Sequence, residues 1–550
     1  MKDTKSVTSF GSEFKETIYL KELFGLHPRW KELKSRLEDG VSFPIVELDK
    51  DYQSKDLEAA YKRGNHKSAE ANEEFLSKAL IKEIEKGWTF VLPDEKYNEI
   101  LNLVLNPMGV ALQLGVSATG EFVEKRRLTH YMSFPGKFSN ESVNSRVIKE
   151  ILEPCMFGHT LLRVIHQIVA IRKRHKSSII WIRKEDFKST YCRMHLDALT
   201  AVRAAVRVKL NGSWFILTST RLPFGGSPCP NDFSLASDMI TDAVNDLLCS
   251  KDWDHKKVVS DFVKSVPAPK PLDEDIPFAQ ARELCVDIPE NDCGKADCFI
   301  DDIITVAVDL GNNAERIAAA PCTVLHSVAH KCIGNIHVKR DNIISDDKNE
   351  AKGAPEETKI CLGWLLDTRR LLVSLPYHKF KAWTSQIDNI LDKKSASGET
   401  LESVIGRLEN IAIIIPMLGH FFNNIRFLHQ KASHKKHNVK LTRQAKDDLS
   451  LSKSFLIKAH KGVSMNLLVF CKPDIIHIGD ASEHGLGAFA SHGRAWRFNI
   501  PKKIRGRAHI NLLEFLTQVV SIWIDIIKGK AKDNDCILCM GDSTSAMGWL

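Results

Sequence analysis

Cys298-Phe299-Ile300-Asp301-Asp302-Ile303-Ile304-Thr305-Val306-Ala307-Val308 decides how this chain is read. Apolar residues precede the acidic pair, and the β-branched run behind it has the composition of a strand. The pattern predicts a β-hairpin carrying two carboxylates at its tip. Two like charges held close repel, so ordering them together is costly unless a cation neutralises them. A hard divalent ion such as Mg²⁺ (or Mn²⁺) prefers carboxylate oxygens and keeps positions open for a phosphate. An isolated Asp-Asp pair is more often a solvated turn, so the rest of the chain must supply the other parts.

A third carboxylate stands at the end of another predicted strand, in Ser178-Ile179-Ile180-Trp181-Ile182-Arg183-Lys184-Glu185-Asp186, with Tyr191 five residues on. Between the two segments lies Arg221-Leu222-Pro223-Phe224-Gly225-Gly226-Ser227-Pro228-Cys229-Pro230-Asn231-Asp232-Phe233, a Gly/Pro-rich turn entering a helix. In this order the three segments resemble motifs A, B and C of the reverse transcriptase palm. Asp186 and Tyr191 match motif A, LPFGGSPCPNDF matches the LPFG-x-S-x-x-P-x-x-F signature of motif B, and FIDD is similar to the Y-x-D-D box, with Phe299 in place of Tyr.

Downstream, Lys359-Ile360-Cys361-Leu362-Gly363-Trp364-Leu365-Leu366-Asp367 and Val373-Ser374-Leu375-Pro376 resemble the segment after the palm in DIRS-like retroelements and their protist and algal relatives. Val404-Ile405-Gly406-Arg407-Leu408, Ile415-Pro416 and His420-Phe421 resemble the thumb and connection region of the same elements. The resemblance spans residues 85 to 550. It implies a right-hand polymerase of α+β class, with fingers, palm and thumb, that copies an RNA template from a DNA primer using dNTPs. Asp186, Asp301 and Asp302 would then hold Mg²⁺ (or Mn²⁺), and Tyr191 would exclude the 2′-hydroxyl. Gly225 and Gly226, without side chains, would let the backbone approach the template-primer. Asn106-Pro107-Met108-Gly109 and Lys125-Arg126-Arg127 resemble the fingers strand pair, continued by Ser133-Phe134-Pro135 and Ser142-Val143-Asn144. Arg127 matches the phosphate-gripping arginine of that pair. Lys125 shares its strand face two residues away, and Arg126 points the other way.

The last eighty residues carry a second constellation. Asp480 ends the strand Ile475–Asp480, and Gly485-Leu486-Gly487 opens the next strand. A helix from Ile510 is expected to bury Leu512, Phe515, Leu516, Val519 and Trp523, with Glu514 near its start; Asp542 follows a third strand. Strand-Asp, helix-Glu, strand-Asp resembles the ribonuclease H fold, where these carboxylates converge on two metals. The chain stops at Leu550, before a further acidic ligand that the resemblance implies. The module is therefore expected to be a partial α/β ribonuclease H-like domain that cleaves an RNA–DNA hybrid poorly.

At 550 residues the chain has room for several domains. The boundaries read as a helical N-terminal extension (1–90), fingers and palm (91–376), a helical thumb or connection (377–470) and the ribonuclease H-like part (471–550). Apolar residues make up 43% and charged residues 27%, which suits a soluble globular protein. The net charge of +8 is a mild excess, but basic runs at Lys125–Arg127, Arg172–Lys176 and Lys431–Lys446 fit phosphate contact. The 13 cysteines show no paired framework, and the N-terminus has no signal-peptide pattern. An intracellular location, cytoplasmic or nuclear rather than secreted, follows as the expectation. Cys536-x-x-Cys539 reads as core rather than zinc, and no apolar run approaches the roughly 18 residues of a membrane span. The proline- and acid-rich stretch Val266–Pro277 reads as a surface excursion. Two other readings compete. A catalytically inactive remnant would bind nucleic acid without copying it. An RNA-directed RNA polymerase would lack the ribonuclease H-like tail and the bulky aromatic after motif A. Nothing in the sequence fixes the oligomeric state.

Overall fold

A computed structural model describes residues 13–116, 122–153, 155–273, 275–330, 341–345, 349–350, 352–435, 438–503, 505–533 and 535–548. Lys436 and His437 of the third basic run, Glu274 of the proline-rich stretch and the terminal Leu550 lie outside the described residues. The chain divides into two compact units. One comprises residues 1–163, 181–270 and 291–356; the other comprises 164–180, 271–290 and 357–550.

In the first unit the N-terminal segment is helical, as its periodicity predicts, with helices Thr17–Phe24, Trp30–Asp39, Lys50–Arg63, Lys67–Glu70 and Glu73–Glu85. Strands Met108–Val116 and Phe122–His130 pair antiparallel, Gln113 opposite Lys125 and Ala111 opposite Arg127. A four-stranded sheet runs in the order Thr89–Pro93, Ser213–Ser219, Ala205–Leu210, Leu105–Asn106. The sheet that carries Asp186 and Asp302 has three strands, in the order Ile180–Asp186, Asp302–Val308, Lys295–Phe299. Residues Ile303 to Val308 of its central strand are all buried. A strand covered on both faces reads as a continuous apolar run, which is why the sequence after Asp302 does not alternate. Helices Cys229–Cys249 and Asn313–Val328 pack on this sheet and on each other.

The second unit opens with an antiparallel sheet of Thr358–Cys361, Trp364–Asp367, Leu372–Ser374 and Val463–Ser464. Helices Tyr377–Lys393, Gly398–Ala412, Asn423–Lys435 and Arg443–Lys461 follow. Ser397 caps the second of these by accepting from the Thr400 N–H. The spacing of Leu401, Val404, Ile405, Leu408 and Ile411 predicts one buried face; the helix buries all of these except Ile405, which is half-buried, and Pro416 then starts a short 3₁₀ turn.

The stretch Val266–Pro277 runs along the surface as its composition suggests, its described residues all exposed or half-buried, but it and the residues that follow are held in place. The Leu272 N–H donates to Glu357, and Phe278 lies under the guanidinium groups of Arg172 and Arg369, each 4.6 Å from its ring centre. Further on, Leu284 bridges to Cys471 and Arg282 pairs with Asp474. Backbone bonds and cation–π contacts, which leave no apolar periodicity in the sequence, hold this segment along the second unit.

The final sheet runs in the order Ala495–Asn499, Gly485–Ala490, Ile475–Ala481, Ile537–Met540. Its last pair is parallel, Ile475 opposite Ile537. The helix Ile510–Ile527 packs on this sheet with the opposite face from the one expected. It buries Leu513, Glu514, Thr517, Gln518, Ser521 and Asp525, whereas Leu512, Leu516, Val519 and Trp523 are exposed and Phe515 is half-buried. The buried residues recur at helical spacing; Glu514, Gln518, Ser521 and Asp525 find hydrogen-bond partners at the sheet, while the Thr517 hydroxyl donates to the Leu513 carbonyl of its own helix. Gln518 donates to the Met540 carbonyl at 3.0 Å, and a Cβ on Gly479 would lie 2.8 Å from the Thr517 methyl. By length and composition this helix is long and apolar enough to cross a membrane, contrary to the expectation from sequence. Apolar residues also stand exposed on the sheet, among them Ile478, Phe489 and Leu538.

Near the C-terminal end of the same helix, Asp525 accepts from His477 at 2.8 Å, His492 at 2.7 Å and Arg494 at 2.5 Å. Burial alone would raise the Asp525 carboxyl, but the hydrogen bonds from His492 and His477 outweigh it and hold the group below its ordinary value. Removing one partner of a buried charge network strands the others, at a cost of about 3–5 kcal/mol. Asp525→Asn is expected to lose stability of that order in chemical denaturation followed at the C-terminal unit. A loss below about 1 kcal/mol, the range of exposed pairs, would show that the network does not hold the helix to the sheet.

Candidate metal centres

The first centre is built by the three-stranded sheet. Phe299 pairs with Asp302, so Ile300 and Asp301 form a two-residue turn and Asp302 opens the next strand. The hairpin therefore stands where the sequence places it. Ile300 has φ +55°, a left-handed conformation that is rare for a β-branched residue and is normally taken by Gly or Asn in such turns. The Phe187 N–H donates to the Asp301 carbonyl at 2.9 Å, tying the end of the Asp186 strand to the turn. Phe299, the residue at the Tyr position of the box, meets Phe157 edge-on at 5.3 Å.

The Asp186 and Asp302 carboxyls both face one ammonium group. Lys184, two residues before Asp186 and so on the same strand face, places its Nζ 3.2 Å from Asp186 Oδ1 and 2.8 Å from Asp302 Oδ2. Burial, aided by the hydrogen bond and charge of Asp186, pushes Asp302 up to about 8 against the pull of Lys184. Burial would lower Lys184, but the charges of Asp302 and Asp186 outweigh it and raise the group. The paired oxygens thus already surround one cation, and this donor set suits a hard divalent ion. Asp301 is tied to the pair through its backbone.

Tyr191 follows a turn in which Ser189 has φ +57°. Its half-buried ring lies 5.9 Å from Phe224 and 6.2 Å from Phe233. Burial, with the charges of Cys229 and Asp301, pushes its hydroxyl up to about 12. Gly225, at φ +131°, has no room for a side chain, since a Cβ would strike the His130 carbonyl oxygen. At Gly226 a Cβ would come within 2.8 Å of Cys229 Sγ. The close approach seen at both glycines is thus to the protein's own atoms. Asn144 fixes this turn: its amide donates to the Gly225 carbonyl at 2.8 Å and accepts from the Ser227 N–H at 2.9 Å.

Lys125, Arg126 and Arg127 are all exposed on their strand. The Arg127 guanidinium lies 5.5 Å from the centre of the Phe224 ring, which joins it to the Tyr191 cluster. No contact of Lys125 with the carboxylates is seen among the described residues.

Two buried histidines flank these elements. His130 is held down to about 4 by burial, partly offset by its bond to the Ala204 carbonyl, and His195 to about 4 by burial and the Arg221 charge. An unfolded chain takes up these protons near pH 6.5, so it binds more protons than the folded one between pH 6.5 and 4. Stability therefore falls as the pH drops through this window, by roughly 3 kcal/mol per group at the acid end. Urea melts of the protein at pH 7 and pH 4.5 are expected to differ accordingly, and His195→Phe should flatten the dependence. An unchanged pH slope in that variant would remove His195 as its source.

The second centre lies in the last sheet. Asp480, Glu514 and Asp542 bring one carboxylate oxygen each to within 4.8 Å of one another, as the sequence pattern requires. The Ala481 N–H donates to Asp480 and Glu514 at 2.9 Å each. Glu514 is buried while Asp480 and Asp542 are exposed. Burial raises the Glu514 carboxyl, the Ala481 bond opposes this, and the charges of Asp480 and Asp542 add to it. Asn511 and Ser543 to Ser545 line the cleft around the three carboxylates. Cys536 and Cys539 belong to no metal-ligating group among the described residues.

No pattern in the sequence assigns Lys184 or Asn144 a role. A lysine two residues from Asp186 could have been read from strand alternation, as Lys125 was, whereas no local pattern announces the Asn144 clamp.

No protein-family model matches the chain, and no curated protein matches it. Among solved structures, a foamy viral protease-reverse transcriptase with RNA/DNA hybrid is similar at 12% identity and a TM-score of 0.42, covering 97% of this chain and 60% of that one. Two complexes of the foamy viral enzyme with double-stranded DNA are also similar. One has 12% identity, a TM-score of 0.41 and coverage of 98% and 76%; the other has 13%, 0.40, 97% and 91%. Likeness this loose carries no argument about the chemistry of this chain, and it does not bear on the narrower DIRS-like type.

Proposed function

We propose that this chain is an RNA-directed DNA polymerase of a retrotransposon, of the DIRS-like type that its motifs resemble, acting inside the cell. The observation that carries the reading is the hairpin turn bearing Asp301 and Asp302 beside the strand end bearing Asp186. Residues 91–376 would form fingers and palm, 377–470 the thumb or connection, and 471–550 a ribonuclease H-like module. Asp186, Asp301 and Asp302 would hold Mg²⁺ (or Mn²⁺). When bound, such ions activate the primer hydroxyl and neutralise the triphosphate and the leaving pyrophosphate.

The remaining steps belong to side chains. Arg127 and Lys125 attract the triphosphate and offset its charge. Tyr191, braced by Phe224 and Phe233, limits the space beside the sugar. Asn144 holds the Gly225–Ser227 turn so that the backbone there presents a fixed surface to the template-primer. In the tail, Asp480, Glu514 and Asp542 would serve hybrid cleavage. Primer extension on an RNA template, comparing dNTPs with NTPs, tests the reading. Template-dependent extension with dNTPs is expected. Binding of the template-primer without extension would favour the inactive remnant, and preference for NTPs would favour an RNA polymerase.

A further inference from the structure

Neither the motifs nor the proposed chemistry gives Lys184 a part, yet it makes the closest ion pairs at the first centre. Its Nζ lies 2.8 Å from Asp302 Oδ2 and 3.2 Å from Asp186 Oδ1. The lysine side chain is 24% exposed and the two carboxylates 15% each. The ammonium therefore sits at the mouth of the pair and has a path to solvent. A divalent ion binds carboxylate oxygens at about 2.0–2.1 Å, well inside the ammonium distance, so an ion on these oxygens meets the ammonium charge at close range and the two repel. A lysine on a four-carbon stem is able to leave, because its charge is a point at the end of a flexible chain.

On the polymerase reading, on which this inference rests, we propose that Lys184 is a positioning residue, the resident counter-ion of Asp186 and Asp302 that an incoming divalent ion must displace. It holds the two neighbouring carboxyl groups in register while no metal is bound. It also weakens metal binding to the free protein, so that loading is favoured when the incoming nucleotide adds its own negative charge. The substrate then arrives together with the ion that it needs.

The test measures Mn²⁺ binding to the full chain without nucleic acid, from the paramagnetic resonance signal of free Mn²⁺. Lys184→Met keeps the length and removes the charge. It is expected to bind Mn²⁺ at least about ten-fold more tightly than the wild type, since a competing unit charge is gone. Its metal-free form should also melt lower, with the deficit closing as Mn²⁺ is added, which a merely structural lysine would not do. Equal or weaker Mn²⁺ binding by the variant overturns the proposal. Should Lys184→Met fail to fold, the wild type still decides. Acylation of the Lys184 amine, followed by mass spectrometry, should be slow in the metal-free protein and faster at saturating Mn²⁺. Equal rates overturn the proposal. Tighter Mn²⁺ binding by Lys184→Met in a protein that extends no primer would sink the polymerase reading and leave the counter-ion role standing.

Discussion

Asp301→Asn is expected to lower primer extension by roughly a thousand-fold, the loss of about 4 kcal/mol of transition-state stabilisation that a metal-holding charge supplies. The substitution preserves shape. The Asp301 backbone carbonyl, which accepts from the Phe187 N–H, is untouched, so the turn should keep its place beside the strand. Binding of a template-primer should survive, because affinity for nucleic acid comes largely from Lys and Arg on phosphates. The measurement is single-turnover extension by purified protein, with duplex affinity read in parallel. Wild-type rates in the variant would remove Asp301 from the metal site. A joint loss of binding and extension would point instead to a misfolded protein.

Tyr191→Ala is expected to raise the use of ribonucleotides relative to deoxyribonucleotides by about ten-fold or more, as the space beside the sugar opens and a clash worth at least 1.4 kcal/mol disappears. The competing role is packing. The ring lies against Phe224 and Phe233, and truncating a buried aromatic costs about 3–5 kcal/mol. Tyr191 is only half-buried, so the cost should fall below that range. Tyr191→Phe separates the two roles because it keeps the ring: selectivity and stability should both stay near wild type. An alanine variant that melts earlier with unchanged selectivity assigns the residue to the core alone.

Where local pattern and tertiary packing agree, the chain was legible. The run from Cys298 to Val308 gave its hairpin, with the acidic pair at the turn, because strand composition and charge both pointed there. The spacing of Leu401, Val404, Ile405, Leu408 and Ile411 marks a helix with that face inward, and all but the half-buried Ile405 are buried. The helix Ile510–Ile527 was read correctly as a helix and wrongly as to its face. Hydrophobicity marks Leu512, Leu516 and Trp523 for burial, but the side against the sheet is chosen by carboxylate and amide groups with partners on neighbouring strands. The ties that hold the chain around Phe278 escape the sequence for a related reason: arginines clasping that ring leave no period. The three carboxylates of the last sheet were recovered because each ends a strand or begins a helix turn. The left-handed Ile300 was not, since nothing but its place in the turn requires it.

The wiring of the central sheet also governs how quickly the protein can assemble. Thr305 and Arg183 are bonded across 122 positions of chain, and the Gly225–Ser227 turn waits for an asparagine 81 to 83 positions upstream. Such contacts reward the chain only after a long loop has closed, so topologies rich in them fold slowly. Closure entropy grows only logarithmically, about 0.6 kcal/mol for each doubling of the loop. Residues 271–290, which lie within that loop, therefore cost little at equilibrium. Their effect falls on the path. The Ile180–Asp186 strand must keep an unsatisfied edge until the Lys295–Val308 hairpin arrives, and an open edge is where a folding chain meets its neighbours. Refolding yield should accordingly depend on protein concentration well before final stability does.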